Sequence, residues 1–169
     1  MKSRQPFLTI ALTLMTMGIS VLTGCRTAAP ATPVAAVRVV FVCEHGNVKS
    51  LIAASLFERV AQQRGLPFQG VARGMNPEAG VPAKIAAALA GEGVDVSRFV
   101  SQSLTSVDLG GAVRVVAIGV DVSSAVTVEE GRLAVWNDVP PASVDYAAAR
   151  AALQRHIDEL LADLQSREP

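Results

Sequence analysis

The first apolar stretch past residue 36 is Val37 to Val42, VRVVFV, a β-branched run with one charge near its start. Apolar side chains at successive positions suit a strand covered on both faces, as in the middle of a parallel sheet. Cys43 to Ser50, CEHGNVKS, breaks the run with Gly46 and Asn47. From Leu51 to Arg64 the period changes to that of a helix. Ala53, Phe57, Val60 and Ala61 share one face with Leu56 beside them, and Gly65 supplies a stop. Phe68 to Ala72 reads as a second strand and Gly74 to Gly80 as a loop. Val81 to Ala90 reads as a helix, with Pro82 in its first turn and Gly91 after its end.

Val94 to Thr105 is a connection, and Thr105-x-x-Asp108 has the spacing of a capping box for a short helix before Gly110-Gly111. Val113 to Val120 repeats the apolar-run pattern as a third strand. Asp121 to Gly131 is a polar loop, Leu133 to Trp136 a short fourth strand, and Asn137 to Ser143 a loop stiffened by Pro140 and Pro141. Asp145 to Leu164 is a long amphipathic closing helix. Strands alternating with helices predict an α/β fold, a doubly wound sheet of about four parallel strands with helices on both faces. Ligands of such sheets bind beyond the carboxyl ends of the strands. Cys43 stands at the end of the first strand, and Asp138 follows the last.

The amino-terminal pattern is of another kind. Lys2 and Arg4 precede an uncharged apolar segment from Phe7 to Leu22, and Leu22-Thr23-Gly24-Cys25 follows at once. Positive flank, short apolar core and small residues are the marks of a signal peptide rather than of a spanning helix. Residues 26–36, rich in Pro, Ala and Thr, make an extended linker. The organisation expected is a signal over 1–25, a linker over 26–36 and one domain over 37–169.

Composition changes the picture in two ways. Half of the residues are apolar but only 4% are aromatic, so the core must be built chiefly from small aliphatic side chains. The fifteen acids all follow Cys43 and balance fifteen scattered bases without a Lys/Arg run, which leaves nucleic-acid binding without support. The two cysteines are Cys25 and Cys43. If Cys25 is acylated, as the resemblance of Leu22 to Cys25 to a bacterial lipobox implies, Cys43 is a lone thiol that forms no internal disulfide, a liability in an oxidising compartment unless buried or used.

The segment Cys43 to Ser50 carries the candidate chemistry. A strand that feeds a short Gly-containing loop into a helix turns loop amides inward, and the helix N-terminus adds partial positive charge, which together make an anion site. A cysteine at the mouth of that loop is favoured as thiolate, the nucleophilic form. Cys43-x5-Lys49-Ser50, with Gly46-Asn47 inside and a valine-rich strand before, resembles the signature of the low-molecular-weight protein tyrosine phosphatases and the related thiol-dependent arsenate reductases. Leu22 to Cys25 resembles the lipobox of bacterial lipoproteins. That second resemblance implies lipid on Cys25, export and, with Arg26 rather than Asp next, an outer-membrane anchor facing the periplasm.

By the first resemblance, Cys43 is the nucleophile, and the amides of Glu44, His45, Gly46, Asn47, Val48, Lys49 and Ser50 hold the oxyanion. Asn47 supports unusual loop backbone because Asn tolerates left-handed dihedrals, Ser50 donates to the thiolate, and Asp138 is the general acid. The partners implied are phosphate, arsenate or a phosphorylated substrate, with no metal and no organic cofactor. The chain departs from the family in three places. Lys49 stands where the family has Arg, keeping the charge and losing the two-pronged grip. Asp138-Val139-Pro140 replaces an Asp followed directly by Pro. No further cysteines exist to resolve an adduct, so a reductase here needs an external thiol.

Other observations stay open. The short Cys43–Asp138 separation and the lack of paired tyrosines before Asp138 favour the reductase branch; Tyr146, the one tyrosine, lies in the last helix. Glu44 and His45 either tune the thiolate or meet substrate, or stand as exposed loop residues, the reading preferred here. His156 reads as a surface residue, and Trp136 as packing or a wall of the site. Three functions remain: an enzyme working through Cys43, a binding module that holds the anion without turnover, and a structural lipoprotein with an inert loop.

Overall fold

The computed structural model describes residues 37–167. The signal over 1–25, with the lipobox and Cys25, and the whole linker over 26–36 fall outside the described residues. Among the described residues no helix is long and apolar enough to cross a membrane.

Four strands, β1 (Val37–Cys43), β2 (Phe68–Gly74), β3 (Ala112–Ile118) and β4 (Leu133–Trp136), form one sheet in the order β2-β1-β3-β4. Every neighbouring pair is parallel, from Val37 against Phe68 to Ile118 against Trp136. Four helices connect and cover them: α1 (Lys49–Gln63), α2 (Ala83–Gly91), α3 (Ser106–Gly110) and α4 (Tyr146–Ser166). This is the α/β sheet that the alternation of patterns predicts, with helices on both faces.

The apolar run of β1 serves both faces because successive side chains alternate. Val39, Phe41 and Cys43 join the larger core with α1, α2 and α4, through Ile52, Phe57, Ile85, Leu153, Ile157 and Leu161. Val40 and Val42 turn the other way, to Val115, Ala117 and Leu104, where the cover is α3 and the segment holding Val122 and Val126. Phe41 sits at the centre of the aromatics, edge-on to Phe57 at 5.4 Å and 5.8 Å from Trp136. Gly70 on β2 lets α1 come close, since a Cβ there would stand 2.6 Å from the Ala54 carbonyl oxygen. The box at the start of α3 is formed, with Asp108 accepting from the Thr105 amide at 2.9 Å.

One consequence of the strand order positions the site. From β1 the chain moves outward to β2, then crosses back over β1 to β3. The direction of winding therefore reverses between β1 and β3, and a crevice opens there beyond the strands' carboxyl ends. Cys43 closes β1 at that point.

Candidate active site

Cys43 is buried, and two groups of Ser50 converge on its sulfur. The Ser50 Oγ lies 3.2 Å from Sγ, and the Ser50 amide donates to Sγ at 3.4 Å. Ser50 is in the first turn of α1, so the sulfur sits at the positive end of a fifteen-residue helix.

Between Cys43 and Ser50 the loop is held from outside by its carbonyls. Cys43 O accepts from the Met75 amide at 3.0 Å, Glu44 O from Asn76 at 2.8 Å, and His45 O from Glu78 at 3.2 Å. Ser101 Oγ adds a second donor to His45 O at 2.6 Å. With its carbonyls drawn outward, the loop keeps its amides free. Among the described residues, no backbone amide from Glu44 to Lys49 donates to a protein acceptor. That is the condition of a backbone cradle awaiting an anion.

Gly46 makes the bend, at φ +73° and against the backbone of Gly74. Here the sequence expectation for Asn47 is corrected. Among the described residues only glycines have positive φ, so Asn47 carries no left-handed backbone. It acts instead through its buried side chain, whose Nδ2 donates to the Gly80 carbonyl at 2.8 Å. The bend falls to Gly46 because a residue without Cβ adopts it at no steric cost. Asn76, Glu78, Gly80 and Ser101, which hold the loop, were not singled out by the sequence. The one hint was the Gly74-to-Gly80 loop at the exit of β2.

A cavity of about 190 Å³ opens against the sulfur. The loop side is Cys43, Glu44, His45, Val48 and Lys49; the far side is Pro141, Ala142 and Ser143. Lys49 is half-buried, with its Nζ 3.0 Å from where a Cβ on Gly119 would stand. Gly119, at φ +65° just past β3, thus leaves room for the ammonium beside the crevice. Among the described residues Lys49 has no carboxylate within ion-pair distance, and its charge is available to a ligand. Glu44 and His45 are exposed and line the cavity as well. Glu44 accepts from Asn76 Nδ2 at 2.6 Å, and His45 Nδ1 lies 3.4 Å from a Glu78 carboxylate oxygen. The far wall is tied to α2 by Lys84, whose Nζ donates to Ser143 O at 3.1 Å.

Asp138, expected beside the leaving group, is not among the residues that line this cavity. Its Oδ1 lies 2.6 Å from His156 Nε2 and its Oδ2 3.5 Å from Arg155, both on α4. The His156 hydrogen bond, helped by the charges of His156 and Arg155, holds the Asp138 carboxyl below the ordinary aspartate range. His156 is likewise more than a surface residue: its ring stacks on Trp136 at 4.8 Å and 12°. Trp136 is buried packing under that ring. A second, larger cavity of about 380 Å³ lies at the opposite end of the sheet, among Val37, Phe68 and Arg114, far from the thiol.

Solved structures share this architecture. A low-molecular-weight protein tyrosine phosphatase from T. tengcongensis is 24% identical, with 75% of this chain and 99% of that one covered and a TM-score of 0.65. A thioredoxin-dependent arsenate reductase from Corynebacterium glutamicum is 19% identical over 78% of this chain and 63% of its own, at a TM-score of 0.63. The YwlE arginine phosphatase from Geobacillus stearothermophilus is 22% identical over 77% and 94%, at 0.61. At these identities the likeness defines the fold: a parallel α/β sheet of the kind seen in low-molecular-weight phosphatases and in an arsenate reductase. No protein-family model matches the chain, and no curated protein sequence does.

Proposed function

We propose that the chain is a phosphatase-like hydrolase of protein phosphotyrosine or small phosphate esters, working through Cys43 in an oxyanion-binding loop with Lys49 in place of Arg. The observation that carries this reading is the pairing of a Ser50-bonded sulfur with the unspent amides of Glu44 to Lys49 around one cavity. Cys43 Sγ attacks phosphorus, the P–O bond to the leaving group breaks with its electron pair going to oxygen, the amides and Lys49 receive the charge growing on the equatorial oxygens, and water later cleaves the S–P bond to release phosphate and the free thiol. No metal or organic cofactor enters this scheme. The fold likeness to phosphatases supports it. Lipid on Cys25 holds the domain at the membrane, facing the periplasm; loss of incorporated palmitate in Cys25→Ser tests that part.

Hydrolysis of 4-nitrophenyl phosphate by the full-length chain in detergent, under reducing conditions, tests the activity. Cys43→Ser abolishes turnover. Lys49→Arg restores a two-pronged contact and raises turnover by up to about 10²-fold, the scale of one oxyanion donor. If neither parent nor Lys49→Arg hydrolyses any ester, the hydrolase reading fails.

One observation favours a second reading, arsenate reduction by an external thiol. Asp138 is bonded to His156 and does not line the cavity at the sulfur, and displacement at arsenate expels hydroxide or water rather than an alkoxide. Arsenate-dependent oxidation of added glutathione, lost in Cys43→Ser, distinguishes it. Phosphate binding without either reaction would leave the loop as a binding module.

A further inference from the structure

Resting on the hydrolase reading, we propose that His156 is a positioning residue that sets the leaving-group range of the Cys43 centre by holding Asp138 away from it. An ionised carboxylate only accepts hydrogen bonds, so His156 Nε2 is the donor in the 2.6 Å contact with Asp138. The imidazole is fixed in turn, stacked on a buried tryptophan that packs against Phe41 in the main core. The backbone on either side of the turn is pinned as well. Val139 and Ala142 are buried, and Pro140 and Pro141 stiffen the chain between them. Arg155 adds an exposed ion pair of small worth. Glu159 faces the other ring nitrogen at 4.0 Å. The carboxylate of the only acid in this segment is thus spent on α4, while its neighbours Pro141 to Ser143 form the cavity wall.

The chemical consequence follows from the balance of the first step. Cys43 Sγ supplies the electron pair of the new S–P bond, and the P–O bond to the leaving group breaks with its pair going to oxygen. Glu44 is engaged by Asn76 and His45 by Glu78; without a proton from Asp138, the leaving oxygen departs as an anion, so weakly basic leaving groups go fastest. When a protonated Asp138 reaches the oxygen, the proton moves to it, the leaving group departs as a neutral alcohol or phenol, and Asp138 becomes the carboxylate. His156 therefore makes the centre slower on esters of basic oxygens, phosphotyrosine among them, than on esters of acidic phenols.

His156→Phe keeps a ring on Trp136 and removes the N–H. Its effect is read on aryl phosphates ranging from 4-nitrophenyl to phenyl, with the full-length chain. The parent shows a steep fall in kcat/KM as the phenol becomes more basic. His156→Phe gains about 10²-fold on phenyl phosphate, the low end of general-acid catalysis, and less than about threefold on 4-nitrophenyl phosphate. Asp138→Asn combined with His156→Phe removes the gain. Equal slopes for parent and His156→Phe overturn the proposal while leaving the hydrolase reading intact. A tenfold loss on phenyl phosphate in Asp138→Asn alone also overturns it, because the acid is then already at work. The hold itself is read without turnover, by carboxyl ¹³C titration of Asp138: an upward move toward ordinary aspartate in His156→Phe supports it, and no move sinks it. If no variant hydrolyses any ester, the hydrolase reading falls and takes the leaving-group claim with it.

Discussion

At Gly46 the backbone runs left-handed, and a Cβ would meet Gly74 N at 2.8 Å and collide with Ser101 Oγ. Gly46→Ala therefore brings two costs: a dihedral penalty of roughly 1–2 kcal/mol and displacement of the loop from the 74–78 segment that orients its carbonyls. The expected outcome is a lower melting temperature together with loss of phosphate binding by calorimetry. If stability falls while binding survives, the carbonyl tethers do not shape the cradle. Single residues were partly legible beforehand. Cys43, Gly46, Lys49 and Ser50 announced themselves by type and spacing. Asn47 was noticed for a backbone role and works through its amide. Asp138 was noticed as a general acid, and the structure pairs its carboxylate with His156.

Among the elements, α4 does more than close the core. Tyr146 and Arg150 on α4 meet Glu92 at the end of α2, and Arg59 reaches the same carboxylate from α1. The distances are 2.7, 2.9 and 3.0 Å. Desolvation pushes the Glu92 pKa upward, but the hydrogen bonds from Tyr146 and Arg150 and the charges of Arg150 and Arg59 outweigh it, and the net direction is down. A carboxyl with a folded pKa below its unfolded one contributes stability above the unfolded value and loses it as pH falls through the folded value. Acid unfolding should thus steepen below the ordinary glutamate range, and Glu92→Gln should flatten that limb in urea melts run at several pH values. Tyr146 moves the opposite way. Burial first, and then Glu92, push its pKa to about 12. Its share of stability is full below 10.0, the ordinary tyrosine value, and is lost as pH rises toward 12, a loss absent in Tyr146→Phe. No sequence pattern marked this cluster, because its members lie on three helices and meet only when those helices pack.

For the molecule as a whole, the two faces of the sheet are unequal. One is covered by α1, α2 and α4 with large aliphatic and aromatic side chains, the other mainly by α3 and the stretch around Val122 and Val126. Truncations should reveal the difference in urea unfolding. Ile157→Ala, fully buried in the larger core, should cost about 2–5 kcal/mol. Val126→Ala on the thinner side should cost about 1–2 kcal/mol, near the transfer value of the lost methyls. Equal losses would mean that both faces pack alike.

Features set by neighbours in the chain could be read from the chain alone. The strands and helices followed from apolar period, the box at Thr105 and Asp108 from a spacing of three, and the anion loop from a cysteine, a glycine and a helix start within eight positions. The physical reason is that dihedral preference, side-chain alternation and capping act over one or two turns. Packing settled the rest. The crossing from β2 back to β3 opened the crevice beside Cys43. The 75–78 segment and Ser101 drew the loop's carbonyls outward. The stack of His156 on Trp136 turned Asp138 toward α4. Each of these joins residues far apart in sequence, through hydrogen bonds and contacts whose energy depends on ångström distances that no local pattern encodes.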